Sequence, residues 1–229
     1  MHHEHHLKSS DTIRDIVIGM SDGLTVPFAL AAGLSGAVNS SGIVVTAGIA
    51  EIIAGSIAMG LGGFLAGKTE TDHYRSELKR EYDEVERVPE QEKKEVMEVF
   101  ATYGISEKLQ RQIADEMAED KDKWVDFMMR YELGLEEPHS NAATKSAITI
   151  GLSYIAGGII PLSPYLLIPN ASTALNYSCI IALICLFVFG YFKSKVTGQP
   201  VWSGALKVTI TGALAAGAAF GMARLINGH

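Results

Sequence analysis

Five stretches of this chain run for about twenty residues with almost no charge, and one polar block separates the second from the third. The apolar stretches extend from about Thr12 to Val38, Gly42 to Lys68, Ala142 to Leu162, Ala174 to Phe192 and Gly204 to Ile226. Each is long enough to cross a bilayer, which takes roughly 20 helical residues at about 1.5 Å each. The third is short because Pro161 and Pro164 are expected to end it. All five are rich in Gly, Ala and Ser, the small residues that let helices pack closely in lipid. In the second, Gly55, Met59 and Gly63 fall about one turn apart along one side.

The intervening block reads as helix throughout, with no strand candidate. Thr69–Arg87 contains neither Gly nor Pro and is expected to continue the second span. Pro89 breaks that helix and sits near the start of the next, Glu90–Tyr103, which Gly104 ends. Ser106 is placed to cap a third helix reaching Tyr131, closed by Gly134 and Pro138. The expected fold is all-α: an integral membrane protein with five transmembrane helices and a three-helix cytoplasmic insert between spans 2 and 3. Residues 1–67 form the N-terminal flank and the first two spans, 68–138 the insert, and 139–229 the last three spans.

Charge sharpens this division. Of 26 acidic residues, 21 lie between Lys68 and Glu137, and that segment holds 33 of the 45 charged side chains. Its 21 acids face 12 bases, so the net charge of −7 comes from this segment, the rest of the chain holding 5 acids and 7 bases. An acidic surface attracts cations and repels nucleic acid, so nucleic-acid binding is not expected. Lys and Arg set the orientation. Asn39–Gly42 and Pro161–Thr173 carry none, whereas the N-terminal flank has Lys8 and Arg14 and the loop after the fourth span has Lys193, Lys195 and Lys207. The N-terminus, the insert and that last loop are therefore expected in the cytoplasm. Met1–Ser10 is polar and has no apolar core of a signal peptide, so the first span is expected to direct insertion. Cys179 and Cys185 lie inside an apolar run without metal-type spacing and read as small buried groups.

Two acids interrupt the apolar stretches, Asp22 and Glu51. Lipid cannot solvate their charge, so by default each marks a pathway or a site. Pro27 cannot donate to the carbonyl of Gly23, which leaves a free carbonyl beside Asp22, a pair of hard oxygen ligands suited to a divalent cation. The alternative is a kinked helix whose Asp is held by a neighbouring hydroxyl. Met59 lies eight residues after Glu51, about 12 Å along a helix, with Gly55 between. It is either core filler or a thioether that favours a transition metal over Mg²⁺ or Ca²⁺.

In the insert, Glu81 and Glu84 share one helix face, as do Glu92 and Glu95, while Met128 and Glu132 share a third at i,i+4. These helices read either as one Glu-rich metal site or as plain solvated faces. Glu90, Glu98, Glu107, Glu116 and Glu119 belong to solvated faces. His2, His3, His5 and His6 form a tract at the terminus, a poor place for a selective site. Glu70-x-x-His73 matches half of a di-iron bundle pattern, but its counterpart Glu136-x-x-His139 contains Pro138, so a di-iron oxidase centre is not expected.

At these residues the chain resembles the vacuolar iron transporter family. Asp22-Gly-Leu-Thr-Val-Pro-Phe-Ala-Leu-Ala-Ala-Gly-Leu34 is similar to the family's first-span signature, and Gly55-Ser-Ile-Ala-Met-Gly-Leu-Gly-Gly-Phe64, continued by Lys68-Thr-Glu-Thr-Asp-His-Tyr74, to its second. Asp126-Phe-Met-Met-Arg-Tyr-Glu-Leu-Gly-Leu135 is similar as well. The resemblance implies a homodimer of five-span subunits that exports Fe²⁺ from the cytosol in exchange for protons, along a path at the subunit interface. It implies that Asp22, Glu51 and Met59 line that path. It also implies that Glu81, Glu84, Glu92, Glu95, Met128 and Glu132 collect the metal, with Met129 secondary to these. Asp11 and Asp15 are accessory candidates at the cytoplasmic mouth. The chain is not expected to be an enzyme. Fe²⁺ is the expected transported substrate, in a vacuolar membrane if the source is eukaryotic or a plasma membrane if bacterial. The alternatives are a Mn²⁺, Zn²⁺ or Co²⁺ transporter of the same architecture, or a membrane-anchored iron-oxidising or storage protein.

Overall fold

A computed structural model describes residues 10–227, and the His2–His6 tract lies outside them. Eight α-helices and one π-helical turn make up the described fold, with no strand. They are α1 (Ser10–Ser35), α2 (Ser41–Arg87), α3 (Pro89–Thr102), α4 (Glu107–Met117), α5 (Lys121–Phe127), the π turn (Met128–Glu132), α6 (Ala142–Leu167), α7 (Ala171–Val196) and α8 (Val201–Asn227). Two compact units result: Met1–Phe64 with Ala143–His229, and Leu65–Ala142.

In the first unit, five helices are long and apolar enough to cross a membrane: α1, α2, α6, α7 and α8. Its packing is that of a protein solvated by lipid. Large apolar side chains such as Ile53, Ile57, Leu152, Ile184 and Leu214 point outward, while Ala31, Ala32, Ala171, Ala174, Ala182, Ala205 and Ala216 fill the interior. Small residues inside let backbones approach. A Cβ at Gly19 or Gly23 would run into the carbonyls of Ile150 or Tyr154, so α1 lies directly on the backbone of α6. One cluster joins Ala31, Val44, Ile52, Leu162, Tyr165, Ala171 and Ala174, and another joins Phe28, Ala32, Ala182 and Ala216. The α1–α2 and α6–α7 loops hold each other, Ser41 N–H donating to the Pro169 carbonyl and Ala171 N–H to that of Asn39, both at 3.0 Å.

The third span departs from its expected end. Pro161 and Pro164 lie inside α6, which continues to Leu167. Pro164 cannot donate to the carbonyl of Ile160, but the Ser163 hydroxyl does, at 2.7 Å. The Ser178 hydroxyl donates to the Pro161 carbonyl at 2.7 Å. A proline is tolerated in a membrane helix when side chains supply such bonds.

In the second unit, α2 reaches Arg87 and Pro89 opens α3 at a first helical position, as the sequence indicates. The expected third helix is instead divided. After α4 the chain breaks at Ala118–Asp120, and Asp120 caps α5 by accepting from Lys123 N–H at 3.2 Å. Asp at an N-cap competes with helix continuation, which explains the break. Ser106 occupies the N-cap of α4, but its side chain makes no capping bond. The core of this unit is Val85, Val96, Ala114, Trp124, Val125, Met128 and Met129.

Candidate metal sites in the insert and the spans

The insert's site grows out of helix periodicity. Val85 on α2 and Val96 on α3 are core residues packed in one cluster with Met128 and Met129. One turn before each valine, on the same helix face, stand Glu81 and Glu92. Core packing therefore drags both carboxylates inward, and each residue is 2% exposed. With Glu84 they form a triad whose nearest ligand oxygens all lie within 4.8 Å of one another. Oε2 of Glu81 and Oε2 of Glu92 are buried without any hydrogen-bond partner. An unpaired buried carboxylate oxygen costs several kcal/mol unless a cation or proton meets it (~1–3 kcal/mol for a neutral group, more for a charged one).

The surroundings enforce that demand. Burial, then the charges of Glu95, Glu81, Glu84 and Glu132, pushes the Glu92 carboxyl up to about 7. Glu132 is exposed as a whole residue, yet desolvation of its carboxyl, with Glu95 and Glu81 beside it, also raises it to about 7. Arg80 opposes this rise. Burial and Glu84 raise Glu81 as well, against the opposing pull of Arg80. Five glutamates from three segments thus share one electrostatic neighbourhood, which is how a cation site looks when protons stand in for the cation.

Met128 and Met129 are 0% and 1% exposed and begin the π turn. There Leu133 N–H donates to the Met128 carbonyl at 3.1 Å, five residues back. Such turns recur at functional sites because they re-aim side chains out of regular helical spacing. Gly134, at φ +64°, ends the turn in a conformation that favours glycine. His73 is exposed, with Nδ1 4.0 Å from Glu77, and does not enter the triad.

In the first unit, Glu51 of α2 accepts a hydrogen bond at Oε1 from the Tyr154 hydroxyl of α6, while its Oε2 is buried without a partner. The contact depends on Gly55, where a Cβ would lie 2.6 Å from Tyr154 Cζ. Tyr154 thus holds the α2 acid, and its backbone packs against Gly23, the residue after Asp22 on α1. Asp22, Glu51 and Met59 are each only partly covered within one chain. Asp15 of α1 is 4% exposed, with Arg14 3.4 Å away, and Asp11 pairs with Arg14 at 3.5 Å.

The VIT family model matches residues 13–224. The chain belongs to the VIT family. Relatives agree along nearly the full length. A vacuolar iron transporter of Centaurea cyanus is 51% identical over 224 residues, covering 97% of this chain and 91% of the relative. Vacuolar iron transporter 1 of Arabidopsis thaliana is 51% identical over 225 residues, covering 98% and 90%. Protein CCC1 of Saccharomyces cerevisiae is 40% identical, covering 93% of this chain and 69% of the relative. Two residues of this VIT-family chain escaped the reading of its sequence, Tyr154 and Arg80. A tyrosine amid Gly, Ile and Ala carries a polar tip that needs a partner in lipid, and that was the signal available for Tyr154.

Enlarging residue 55 is the simplest disturbance of the span site. Gly55→Val is expected to push the Tyr154 hydroxyl off Glu51 and cut metal flux at least tenfold, while Tyr154→Phe cuts it less because the ring still packs. Flux measured on both variants in liposomes checks this, and normal flux in Gly55→Val removes the contact from the transport site.

Proposed function

We propose that the protein is an Fe²⁺/H⁺ antiporter that moves iron out of the cytosol into a lumen or out of the cell. The observation that carries this reading is the pair of buried, unpartnered carboxylate oxygens of Glu81 and Glu92 beside Glu84, in a chain whose spans hold a second unpartnered carboxylate oxygen at Glu51. The names of the relatives supply iron as the substrate and, for several of them, the vacuole as the compartment.

In this mechanism, the insert's carboxylates attract Fe²⁺ and exchange their protons for it. Glu81, Glu84, Glu92, Glu95 and Glu132 offer hard oxygens, and the Met128 thioether, with Met129 secondary, adds the softness that favours a transition metal over Mg²⁺ or Ca²⁺. In the spans, Asp22 and Glu51 each need a counter-cation, because a bare charge in lipid costs about 2.5–3.5 kcal/mol or more. Either a proton or Fe²⁺ satisfies that need. Mutually exclusive occupancy by the two couples their opposite movements. Met59 provides a thioether farther along α2. The partial exposure of Asp22, Glu51 and Met59 in one chain favours a homodimer, in which a second copy covers this side of α1 and α2 and encloses the path. The N-terminus and the insert face the cytoplasm, following the lysine and arginine distribution.

The raised carboxyls set a pH dependence. Fe²⁺ must displace protons from Glu92 and Glu132, so affinity at the insert falls as pH drops through about 7, by up to about tenfold per proton displaced per unit. Stability runs the other way. A carboxyl raised from 4.5 to about 7 contributes stability fully present below about 4.5 and lost as pH rises through about 7. The metal-free protein should therefore melt higher at pH 5 than at pH 8, and metal should restore the loss at pH 8. Melting curves of the purified chain at both values, with and without Mn²⁺ as a redox-stable probe, check the sign. The choice of metal is tested by competition: Fe²⁺ uptake into proteoliposomes is expected to persist in excess Zn²⁺, Co²⁺ and Mn²⁺. Equal loss of uptake to any one of them would make that metal a substrate of equal rank.

A further inference from the structure

Arg80 lies next to the triad, and its guanidinium reaches three carboxylates at once. One nitrogen is 2.8 Å from Glu77 Oε2 and 3.5 Å from Glu81 Oε1, and Nε is 3.3 Å from Glu84 Oε2. Glu81 and Glu84 belong to the triad, and Glu77 does not. A guanidinium keeps its charge at every physiological pH and forks across carboxylates in fixed geometry. It therefore occupies part of the space and satisfies part of the charge that a divalent cation would take. Two cations cannot share the Glu81 and Glu84 oxygens without repulsion, and the nearness of Glu77 provides another carboxylate on which Arg80 can rest. The arginine itself is about half exposed and so is free to swing.

We propose that Arg80 is an internal competitor for the metal, shared among Glu77, Glu81 and Glu84 when the site is empty and held by Glu77 alone when Fe²⁺ is bound. The proposal rests on the metal reading of the triad and adds a residue that sets how tightly the triad holds its cargo. A collecting site in a transporter must release as well as bind. A tethered cation that returns to the carboxylates lowers affinity and speeds release, without altering which atoms ligate the metal. Glu77, although not a ligand, then strengthens metal binding by drawing Arg80 away.

The test is anaerobic Fe²⁺ titration of the purified full-length protein, wild type and variants in one series, with stopped-flow release into a chelator. Arg80→Gln should bind Fe²⁺ about tenfold tighter, at the lower end of the range for groups beyond the ligands themselves, and release it correspondingly more slowly. Glu77→Gln should weaken binding in the wild-type background and have little effect in the Arg80→Gln background. Arg80→Lys keeps the charge but loses the fork, should give an intermediate affinity, and serves if the neutral variant fails to fold. Unchanged or weaker binding in Arg80→Gln, or an equal effect of Glu77→Gln in both backgrounds, overturns the proposal while leaving the metal site intact. Absence of Fe²⁺ binding in the wild type would instead overturn the metal site itself, and this proposal with it.

Discussion

Asp22→Ala should abolish Fe²⁺ uptake into acid-loaded proteoliposomes, a loss of at least a hundredfold, while Fe²⁺ binding at the insert stays at the wild-type level. Asp22 lies on α1, directly before Gly23, which packs against the Tyr154 backbone. Alanine there removes a hard oxygen ligand and a proton carrier together, and the other acids of α1, Asp11 and Asp15, lie in its first two turns. Asp22→Asn separates the two possible roles of the side chain. The amide preserves shape and hydrogen bonding but exchanges no proton, so it should fail as completely as alanine if proton exchange is the reason for the carboxylate. Transport retained in Asp22→Asn would mean that residue 22 only holds α1 in place. Flux recorded with an Fe²⁺ indicator inside the vesicles reads both variants directly.

The second large effect concerns the insert. Replacing Glu81, Glu84, Glu92 and Glu95 together with glutamine should eliminate measurable Fe²⁺ binding by this unit. It should slow transport several-fold at low Fe²⁺ and much less at high Fe²⁺, where collection no longer limits the rate. Glutamine keeps the volume of the two buried side chains while removing charge at the two Oε2 atoms that have no partner. The variant should therefore fold, and its melting temperature should show a smaller decline between pH 5 and pH 8 than the wild type, because Glu92 is removed while Glu132 keeps the desolvation that raises it. The spans belong to a different compact unit, so membrane assembly, read by gel filtration in detergent, should be unchanged. Full transport at low Fe²⁺ would make the triad dispensable for uptake.

How far these sites could be read without coordinates depended on the kind of signal. Span positions followed from length and apolarity, because lipid imposes both on any crossing helix. Asp22 and Glu51 stood out because charge is costly there, and Glu81, Glu84, Glu92 and Glu95 because i,i+3 spacing fixes a shared face. The end of the third span was misplaced: rules for proline in water ignore hydroxyls such as that of Ser163, which restores a bond the proline removes. The break after Met117 was missed because no Gly or Pro interrupts Glu107–Tyr131, and the capping bond of Asp120 shows only in the fold. Burial of Glu81 and Glu92 is likewise a tertiary fact, since their neighbours in sequence are as polar as those of the exposed Glu90. Tyr154 matters through a partner on another helix, Glu51, which no spacing rule within one segment reveals. Arg80 has its partners on its own helix, and the i,i+3 and i,i+4 spacing to Glu77 and Glu84 was the signal available for it.

Proton coupling is tested most directly by recording both ions in one vesicle. Wild-type protein in liposomes with an acidic interior, given external Fe²⁺ and a pH-sensitive dye inside, should take up iron and alkalinise the lumen in step. Collapse of the gradient with an ionophore should stop net uptake. Iron uptake that proceeds at the same rate without a pH gradient, or that moves no protons, would contradict Fe²⁺/H⁺ exchange.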